Sequence, residues 1–182
     1  MTTSPTRPSE YELIRELRQS RVFSEQPIDE PVVQDLLEIA RWSGSAKNTQ
    51  PWDFLVLRDR ERIAAIAELG QFSGFLKNAP LVIVLVFNGT STRSESYDEG
   101  RVSERLMLAA KAYGLGSGTG WWGTPEGAAD KVKALLGIPA DKAVISAVAI
   151  GHPMGNQPLG PNPGRKPLSE IFHYETFGNR SS

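Results

Sequence analysis

The chain has no cysteine and only two histidines, His152 and His173, among its 182 residues. Without cysteine it can form no disulfide, no thiolate metal site and no cysteine nucleophile. Two histidines leave little material for an imidazole-based metal centre. The composition therefore argues against thiol chemistry, and we expect no metal site.

An excess of either charge is also missing, as is a long apolar run. Twenty Lys and Arg residues stand against 21 Asp and Glu residues, so the formal net charge is -1. Nucleic-acid binding normally needs a concentrated basic surface, which this balance does not suggest. No run of about 18 apolar residues predicts a membrane span, and the polar N-terminus lacks the apolar core of a secretion signal. We expect a cytoplasmic protein.

The length and the hydrophobic fraction of 40% fit one globular domain. We expect residues 1–8 to be a disordered lead-in and residues 9–182 to form the domain. The run Leu81–Phe87 is apolar at every position, which is typical of a central strand covered on both faces. Further strands are predicted at Trp52–Leu57 and Ala143–Ile150. Helices are predicted from Ser9, from Asp29, from Asp59, from about Tyr97 to Tyr113, and from Thr124 to Leu136. This layout predicts an α+β fold with three layers, in which helices flank a central mixed β-sheet.

Several segments between these elements are expected to be irregular. The polar stretch Asn88–Ser96 is expected to be mobile, and Leu115–Gly123 is rich in glycine. Residues Gly118–Gly123 match G-x-G-x-x-G, but a helix precedes them rather than a strand, so we reject a dinucleotide-binding fingerprint. The tryptophans of this stretch either pack in the core or form the wall of a pocket. From about residue 151 to residue 182 a Gly/Pro-rich arm with an apolar tail is predicted, and its plausible use is to embrace a second subunit.

The loop Ser43–Trp52 carries the strongest sign of function. It crowds Asn48, Gln50 and Trp52 together with small residues and Pro51 before a predicted strand. Loops of this kind expose backbone N–H groups and side-chain amides to a polar, planar ligand. A loop that only connects two elements rarely needs this combination.

Two basic clusters are candidates for binding an anion. Arg18 and Arg21 lie near the end of the first predicted helix, and Arg165 and Lys166 lie in the arm. Cations are favoured at a helix C-terminus in any case, and for Arg18 and Arg21 alone that explanation is preferred. Paired guanidinium groups also match phosphate oxygens, which becomes relevant if the two clusters converge.

Four motifs, in order and covering nearly the whole chain, resemble those of the flavin-dependent nitroreductase family. Residues 18–27 resemble its R-x-x-R-x-F…P entry, and residues 45–52 resemble its S-x-x-N-x-Q-P-W loop. Residues 109–116 resemble its A-A-x-x-x-G-L-G helix end, and residues 165–170 resemble its late basic segment. The chain departs from the commoner pattern at Ala46 and Lys47, where the family often has Gly-Gly.

The resemblance implies an intertwined homodimer with FMN at the subunit interface. Arg18, Gln19, Arg21, Arg165 and Lys166 would hold the flavin phosphate and ribityl chain. Ser45, Asn48 and Gln50 would contact the flavin from the other subunit. Backbone at Trp122 and Gly123 would lie at the isoalloxazine edge and donate to N5.

The implied activity is an FMN-dependent NAD(P)H oxidoreductase with ping-pong kinetics. Hydride would pass through flavin N5 to a nitroaromatic, a quinone or a similar small acceptor. No side chain stands out as a chemical catalyst. Two alternatives remain open: a specialised flavin chemistry, such as flavin fragmentation or reductive dehalogenation, and a flavin-binding protein without turnover.

Overall fold

The computed structural model describes residues 9–157 and 164–180. The predicted lead-in, residues 1–8, lies outside the described residues, as does the middle of the predicted arm. Five helices and four strands make up the ordered elements of the described part. The helices are α1 (Ser9–Arg15), α2 (Glu30–Arg41), α3 (Arg60–Ala67), α4 (Thr92–Ala112) and α5 (Ala128–Leu136); the strands are β1 (Trp52–Leu57), β2 (Leu81–Phe87), β3 (Gly116–Trp121) and β4 (Ala143–Gly151).

The four strands form one sheet in the order β1-β2-β4-β3, and all three pairings between them are antiparallel. Strand β2 is buried at all seven positions, as its uninterrupted apolar sequence predicts. The predicted α+β fold with helices on both faces is confirmed. The parallel part of the predicted mixed sheet is a single bridge between Gln19 and Ser117.

Two apolar clusters lie on opposite faces of the sheet and define the three layers. One face packs against α3 and α5, with Ile63, Ile66 and Val132 fully buried. The other packs against α2 and α4, with Leu36 and Leu106 at its centre. Helix α3 begins where the sequence predicts, because the Asp59 side chain accepts a hydrogen bond from the Arg62 N–H at 2.8 Å.

Three stretches differ from the sequence-based expectation. Helix α5 begins at Ala128, four residues after the predicted start at Thr124. Helix α4 begins at Thr92, five residues before the predicted start, so part of the segment expected to be mobile is helical. The Glu95 side chain lies buried and accepts hydrogen bonds from the Gly89 and Thr90 N–H groups, which organises the turn before the helix. The glycine-rich stretch forms strand β3 rather than a loop.

A bulge in β4 changes which side chains face α4. Val84 pairs with Ala147 and Val86 with Val144, so two residues of β4, Ile145 and Ser146, stand opposite Leu85. A bulge of this kind turns two successive side chains toward one face of the sheet. Both Ile145 and Ser146 face α4 as a result.

Helix α1 packs less completely than its periodicity suggests. Tyr11, Ile14 and Leu17 predict one buried stripe, but Ile14 is 58% exposed and Tyr11 is also exposed, while Leu17 packs on the α2–α4 side of the core. Among the described residues, no helix is long and apolar enough to span a membrane.

Candidate functional site

The predicted basic segment at residues 18–21 lies directly on strand β3. The Ser20 N–H donates to the Ser117 carbonyl at 2.7 Å, and Gln19 forms the parallel bridge to the same residue. A Cβ at Gly118 would stand 2.6 Å from the Ser20 carbonyl oxygen, and one at Gly116 would stand 2.6 Å from the Ser20 hydroxyl. Only glycine permits this approach, which explains why a strand is built from residues with low strand propensity.

A cavity of about 300 Å³ opens where this segment meets β3 and the end of α4. Arg18, Lys111, Ser20 and Ser117 supply its hydrogen-bond donors, and the Glu16 carboxylate also lines it. The Arg18 guanidinium also donates to the carbonyls of Arg15 and Leu17, at 2.9 and 2.6 Å. Two cations beside hydroxyl groups and close backbone form a donor set that fits a phosphate.

Sequence reasoning missed Lys111, although it stands inside the quoted A-A-x-x-x-G-L-G motif. Its ammonium lies 3.8 Å from the Glu16 carboxylate, an exposed and weak ion pair that leaves its charge available. A basic residue in the last turn of a helix has an ordinary explanation from the helix dipole. The sequence signal that could have indicated Lys111 was the pair Gly114 and Gly116, because the chain turns there from the end of α4 into the sheet beside Arg18.

The other arginine of this segment, Arg21, is exposed and points away from that cavity. Its guanidinium carbon lies 5.4 Å from the centre of the Phe75 ring. Its main chain is held from two sides: its N–H donates to Gln157 Oε1 at 2.7 Å, and its carbonyl accepts from Asn78 Nδ2 at 3.3 Å. The segment is therefore fixed, while the Arg21 charge remains accessible.

The polar loop adopts an uncommon backbone. Lys47, Asn48 and Gln50 all have positive φ, at 53°, 56° and 47°. Residues other than glycine rarely adopt this left-handed backbone conformation, and those that do are concentrated at ligand sites. The family's commoner Gly-Gly would reach it without strain at position 47, so Lys47 replaces glycine where glycine is the natural choice.

Internal hydrogen bonds maintain the loop and leave its amide side chains exposed. Ser45 Oγ accepts from the Gln50 N–H at 2.9 Å, and Thr49 Oγ1 donates to the Ala46 carbonyl at 3.0 Å. The Gln50 amide reaches only the Asn48 carbonyl, at 3.5 Å. The Asn48 and Gln50 side chains can therefore meet a ligand or a second chain.

Trp122 and Gly123, the two predicted site residues in the turn after β3, have different roles. Trp122 is 1% exposed, its indole N–H donates to the Ile66 carbonyl at 2.9 Å, and its main-chain N–H donates to the Ile145 carbonyl at 2.8 Å. It is a core residue with no donor left over. No acceptor among the described residues meets the Gly123 N–H, and a Cβ there would overlap the Trp121 indole. Gly123 is thus the available donor of this turn.

Behind this turn lies a partly buried carboxyl, that of Glu99, which sequence reasoning did not assign. Ser146, placed by the bulge on the α4 face, donates a short hydrogen bond to Glu99 and stands opposite Trp121 across the sheet. Burial raises the pKa of Glu99, and the hydrogen bond from Ser146 opposes that effect in part. A bulge cannot be read from the sequence, because it depends on the register against β2.

Arg165 and Lys166 lie in the exposed segment Gly164–Arg180. The Arg165 guanidinium donates to the Gly164 carbonyl at 3.2 Å. The Tyr174 N–H donates to the Asn179 carbonyl at 2.8 Å and the Gly178 N–H donates to His173 Nδ1 at 3.0 Å, and both bonds join this segment to itself. One chain therefore does not bring this basic pair onto Arg18, and no hydrogen bond or ion pair in the described part links the polar loop to Arg18 or Gly123.

Comparison with known proteins decides the family. The sequence profile of the nitroreductase family matches residues 14–72 and 70–152. The chain belongs to the nitroreductase family. This confirms the family and the oxidoreductase class that the four motifs predict.

Individual relatives agree with this membership. The chain is 33% identical over 142 residues, 75% of its length and 80% of the relative's, to an Archaeoglobus fulgidus protein whose description proposes an NADH dehydrogenase/NAD(P)H nitroreductase. It is 27% identical to the iodotyrosine deiodinase of Hydra vulgaris, over 92% of this chain and 77% of that one. The solved structure of an FMN-dependent nitroreductase from Clostridium difficile R20291 covers 92% of this chain and 99% of its own, with a TM-score of 0.81 at 20% identity. At that identity the last likeness concerns the fold.

Proposed function

We propose that this nitroreductase-family chain is an FMN-dependent NAD(P)H oxidoreductase that works as a homodimer with the flavin at the subunit interface. The observation that carries the proposal is the docking of residues 18–21 on the glycine strand, beside the cavity that holds Arg18 and Lys111. The names of the Archaeoglobus relative and of the Clostridium structure support the NAD(P)H and FMN assignments. A cytoplasmic location stays a prediction.

In this proposal the residues of the site bind and orient. Arg18 and Lys111 hold the flavin phosphate, with Gln19 and Arg21 beside it and Arg165 and Lys166 arriving from the arm. FMN bound there would supply hydride transfer from NAD(P)H to an acceptor such as a nitroaromatic or a quinone. The Gly123 N–H would be the donor to flavin N5, because the Trp122 N–H already donates to the Ile145 carbonyl.

The dimer follows from surfaces that one chain leaves uncovered. Ser45, Asn48 and Gln50 are held as a preformed loop without any contact to Arg18, so we assign them to the flavin of the partner subunit. The segment Gly164–Arg180 exposes Leu168 (72%) and Phe177 (95%), a concentration of apolar side chains in one short stretch that fits an interface. A partner subunit would cover both.

The test is spectroscopic and begins with purified protein. A flavin spectrum that bleaches with NADPH in the absence of oxygen and returns on addition of a quinone supports the proposal. Replacing Arg18 with Ala should weaken FMN binding at least tenfold, which corresponds to about 1.4 kcal/mol. Arg60→Ala, an exposed arginine at the start of α3, is the matched control and should bind FMN as the parent does. A colourless protein that binds no added FMN would overturn the proposal.

Reductive dehalogenation is the second candidate, because the deiodinase of Hydra vulgaris aligns with most of this chain. Reduced enzyme mixed with 3-iodotyrosine should then release iodide in step with flavin reoxidation. Rapid reoxidation by quinone without iodide release favours the first candidate.

A further inference from the structure

A second cavity lies beside the polar loop and is unrelated to the Arg18 cavity. It has a volume of about 390 Å³, in the range of small-molecule sites. Its lining comes from the loop and from the first three turns of α4: Ala46, Ser91, Arg93, Tyr97, Asp98 and Arg101. None of these residues belongs to the motifs that carry the flavin assignment except Ala46.

The charges in this cavity leave one cation without compensation. Arg101 Nη1 lies 3.3 Å from Asp98 Oδ1 and 3.4 Å from the Gly44 carbonyl, so Arg101 and Asp98 neutralise each other. Arg93 has no partner among the described residues. The other acidic side chains of these turns are engaged elsewhere, Glu95 with the turn before the helix and Glu99 with Ser146.

The start of α4 adds to this positive character. Ser91 occupies the N-cap position but makes no side-chain capping bond, so the first-turn N–H groups remain available, although the buried Glu95 carboxylate of the same turn offsets part of their positive charge. Helix N-termini of this kind attract carboxylates and phosphates. Arg93 and the helix end therefore act on an anion together.

One buried polar atom marks this cavity independently. The Asp98 side chain is 3% exposed, and its Oδ2 has no hydrogen-bond partner among the described residues. A buried carboxylate oxygen without a hydrogen-bond partner destabilises the folded chain. A ligand that brings an N–H or O–H donor to the inner wall would remove that cost.

The cavity also offers an aromatic surface. Tyr97 is 72% exposed, and the Arg101 guanidinium carbon stands 5.4 Å from the centre of its ring. A planar ligand can stack on such a ring and guanidinium pair. Tyr97 and Arg101 thus fit an aromatic ring, Arg93 fits an anion, and Asp98 fits a hydrogen-bond donor.

We propose that this cavity binds the electron acceptor, and that the acceptor is a one-ring aromatic acid that carries a reducible group, such as a nitro group, together with a hydroxyl or amino substituent. Its carboxylate lies against Arg93 and the α4 N-terminus, its ring against Tyr97, and its substituent donates to Asp98. The inference rests on the proposed function, because Ala46 belongs to the loop assigned to the flavin. For a nitro-substituted acid, one NAD(P)H and one proton would convert the nitro group to a nitroso group and release water.

Binding can be tested apart from turnover, by titration calorimetry of the purified protein with benzoate, benzamide and 4-hydroxybenzoate. Benzoate should bind at least tenfold more tightly than neutral benzamide, and 4-hydroxybenzoate several-fold more tightly than benzoate. Arg93→Ala should reduce the benzoate-to-benzamide affinity ratio at least fivefold. Asp98→Asn should remove the preference for the hydroxyl compound. Arg60→Ala should preserve both preferences.

Equal affinity for benzoate and benzamide, or an unchanged ratio in Arg93→Ala, would overturn the inference. Arg93 is exposed and makes no contact that folding requires, so this variant keeps the test valid if Asp98→Asn fails to fold. The result is distinguishable from failure of the proposed function, which shows as a protein without flavin. With FMN present, 4-nitrobenzoate should have a lower KM than 4-nitrobenzamide, and Arg93→Ala should shrink that difference.

Discussion

At the scale of single residues, the polar loop stores strain where a ligand is expected. Holding three side chains in the left-handed region costs about 1–2 kcal/mol each. The internal bonds of Ser45 and Thr49 offset part of this cost and preserve the shape without a ligand. The composition of the loop indicated a binding role, but the strained positions could be recognised only from backbone angles.

Glu99 should make the stability of the protein depend on pH. Because its pKa is raised in the folded state, the folded protein holds this proton more tightly than the unfolded chain. Its contribution is complete below the unfolded value of about 4.5 and is lost as pH rises through the folded pKa. Glu99→Gln should therefore melt at a similar temperature to the parent at pH 4 and at a higher temperature at pH 8.

Thermal unfolding followed by circular dichroism measures this difference, at about 2–4 °C for each kcal/mol in a chain of this size. Glu104→Gln, on the exposed side of the same helix, is the control and should show no such pH dependence. Equal shifts for the two variants would mean that Glu99 does not carry the effect.

Trp122 should contribute to the core rather than to ligand contact. Trp122→Phe removes ring volume and leaves the buried Ile66 carbonyl without its donor, so it should cost about 2–4 kcal/mol. Urea unfolding gives the free energy directly. Trp42→Phe, at an exposed tryptophan, should cost less than about 1 kcal/mol. Similar losses in both variants would contradict the core role.

At the scale of elements, the most important feature of strand β3 is the absence of side chains at Gly116 and Gly118. Residues 18–21 occupy the space that side chains at Gly116 and Gly118 would need. The strand is therefore a docking surface for the basic segment as well as part of the sheet. Replacing a glycine of this strand should affect both the stability of the protein and the proposed phosphate site.

Gly118→Ala should displace residues 19–21, because its Cβ would meet the Ser20 carbonyl at 2.6 Å and backbone cannot rotate away. We expect a loss of about 1–3 kcal/mol in unfolding free energy and weaker FMN retention. The measurements are urea unfolding and flavin fluorescence on dilution.

Gly100→Ala is the matched control for this substitution. Gly100 lies inside α4 with no atom within 4 Å of the added Cβ. Alanine should stabilise the helix there by about 0.5–1 kcal/mol. If Gly118→Ala is also neutral or stabilising, close docking of residues 18–21 is not important.

At the scale of the whole molecule, apolar surface collects in places that a second subunit could cover. Besides the C-terminal segment, a cavity of about 450 Å³ runs between α2 and α4. It is lined by apolar and aromatic side chains, with three charged residues at its edge: Ile39, Leu108, Ala109, Ala112 and Tyr113, with Asp35, Glu38 and Arg105. Symmetric homodimers commonly bury such self-complementary patches. The exposed face of α1 at Ile14 belongs to the same pattern.

Deleting the chain from residue 164 onward should weaken the dimer and FMN binding together, because both the apolar segment and Arg165 are lost. Light scattering during size-exclusion chromatography gives the mass of each species. Deletion of residues 1–8, the predicted lead-in, should leave the dimer intact. A parent protein that is monomeric at micromolar concentration would contradict this prediction.

The sequence alone determined what rests on neighbouring residues. The seven apolar positions of β2 indicate a strand covered on both faces, and Asp59 marks the start of α3, because strand burial and helix capping are local. The motifs around Arg18, Ser45 and Ala109 were enough to indicate the family. Each of these motifs is a short, contiguous stretch of sequence.

Only the tertiary structure decided features that depend on partners distant in the chain. The glycine content of Leu115–Gly123 does not indicate a strand, because strand propensity takes no account of a close backbone neighbour. In the structure Ser20 occupies the space beside Gly118. Trp122 could have been a pocket wall, and its bond to Ile66 places it in the core. Lys111 joins Arg18, and Glu99 meets Ser146, only because α4 crosses the sheet at a bulge that no local pattern records.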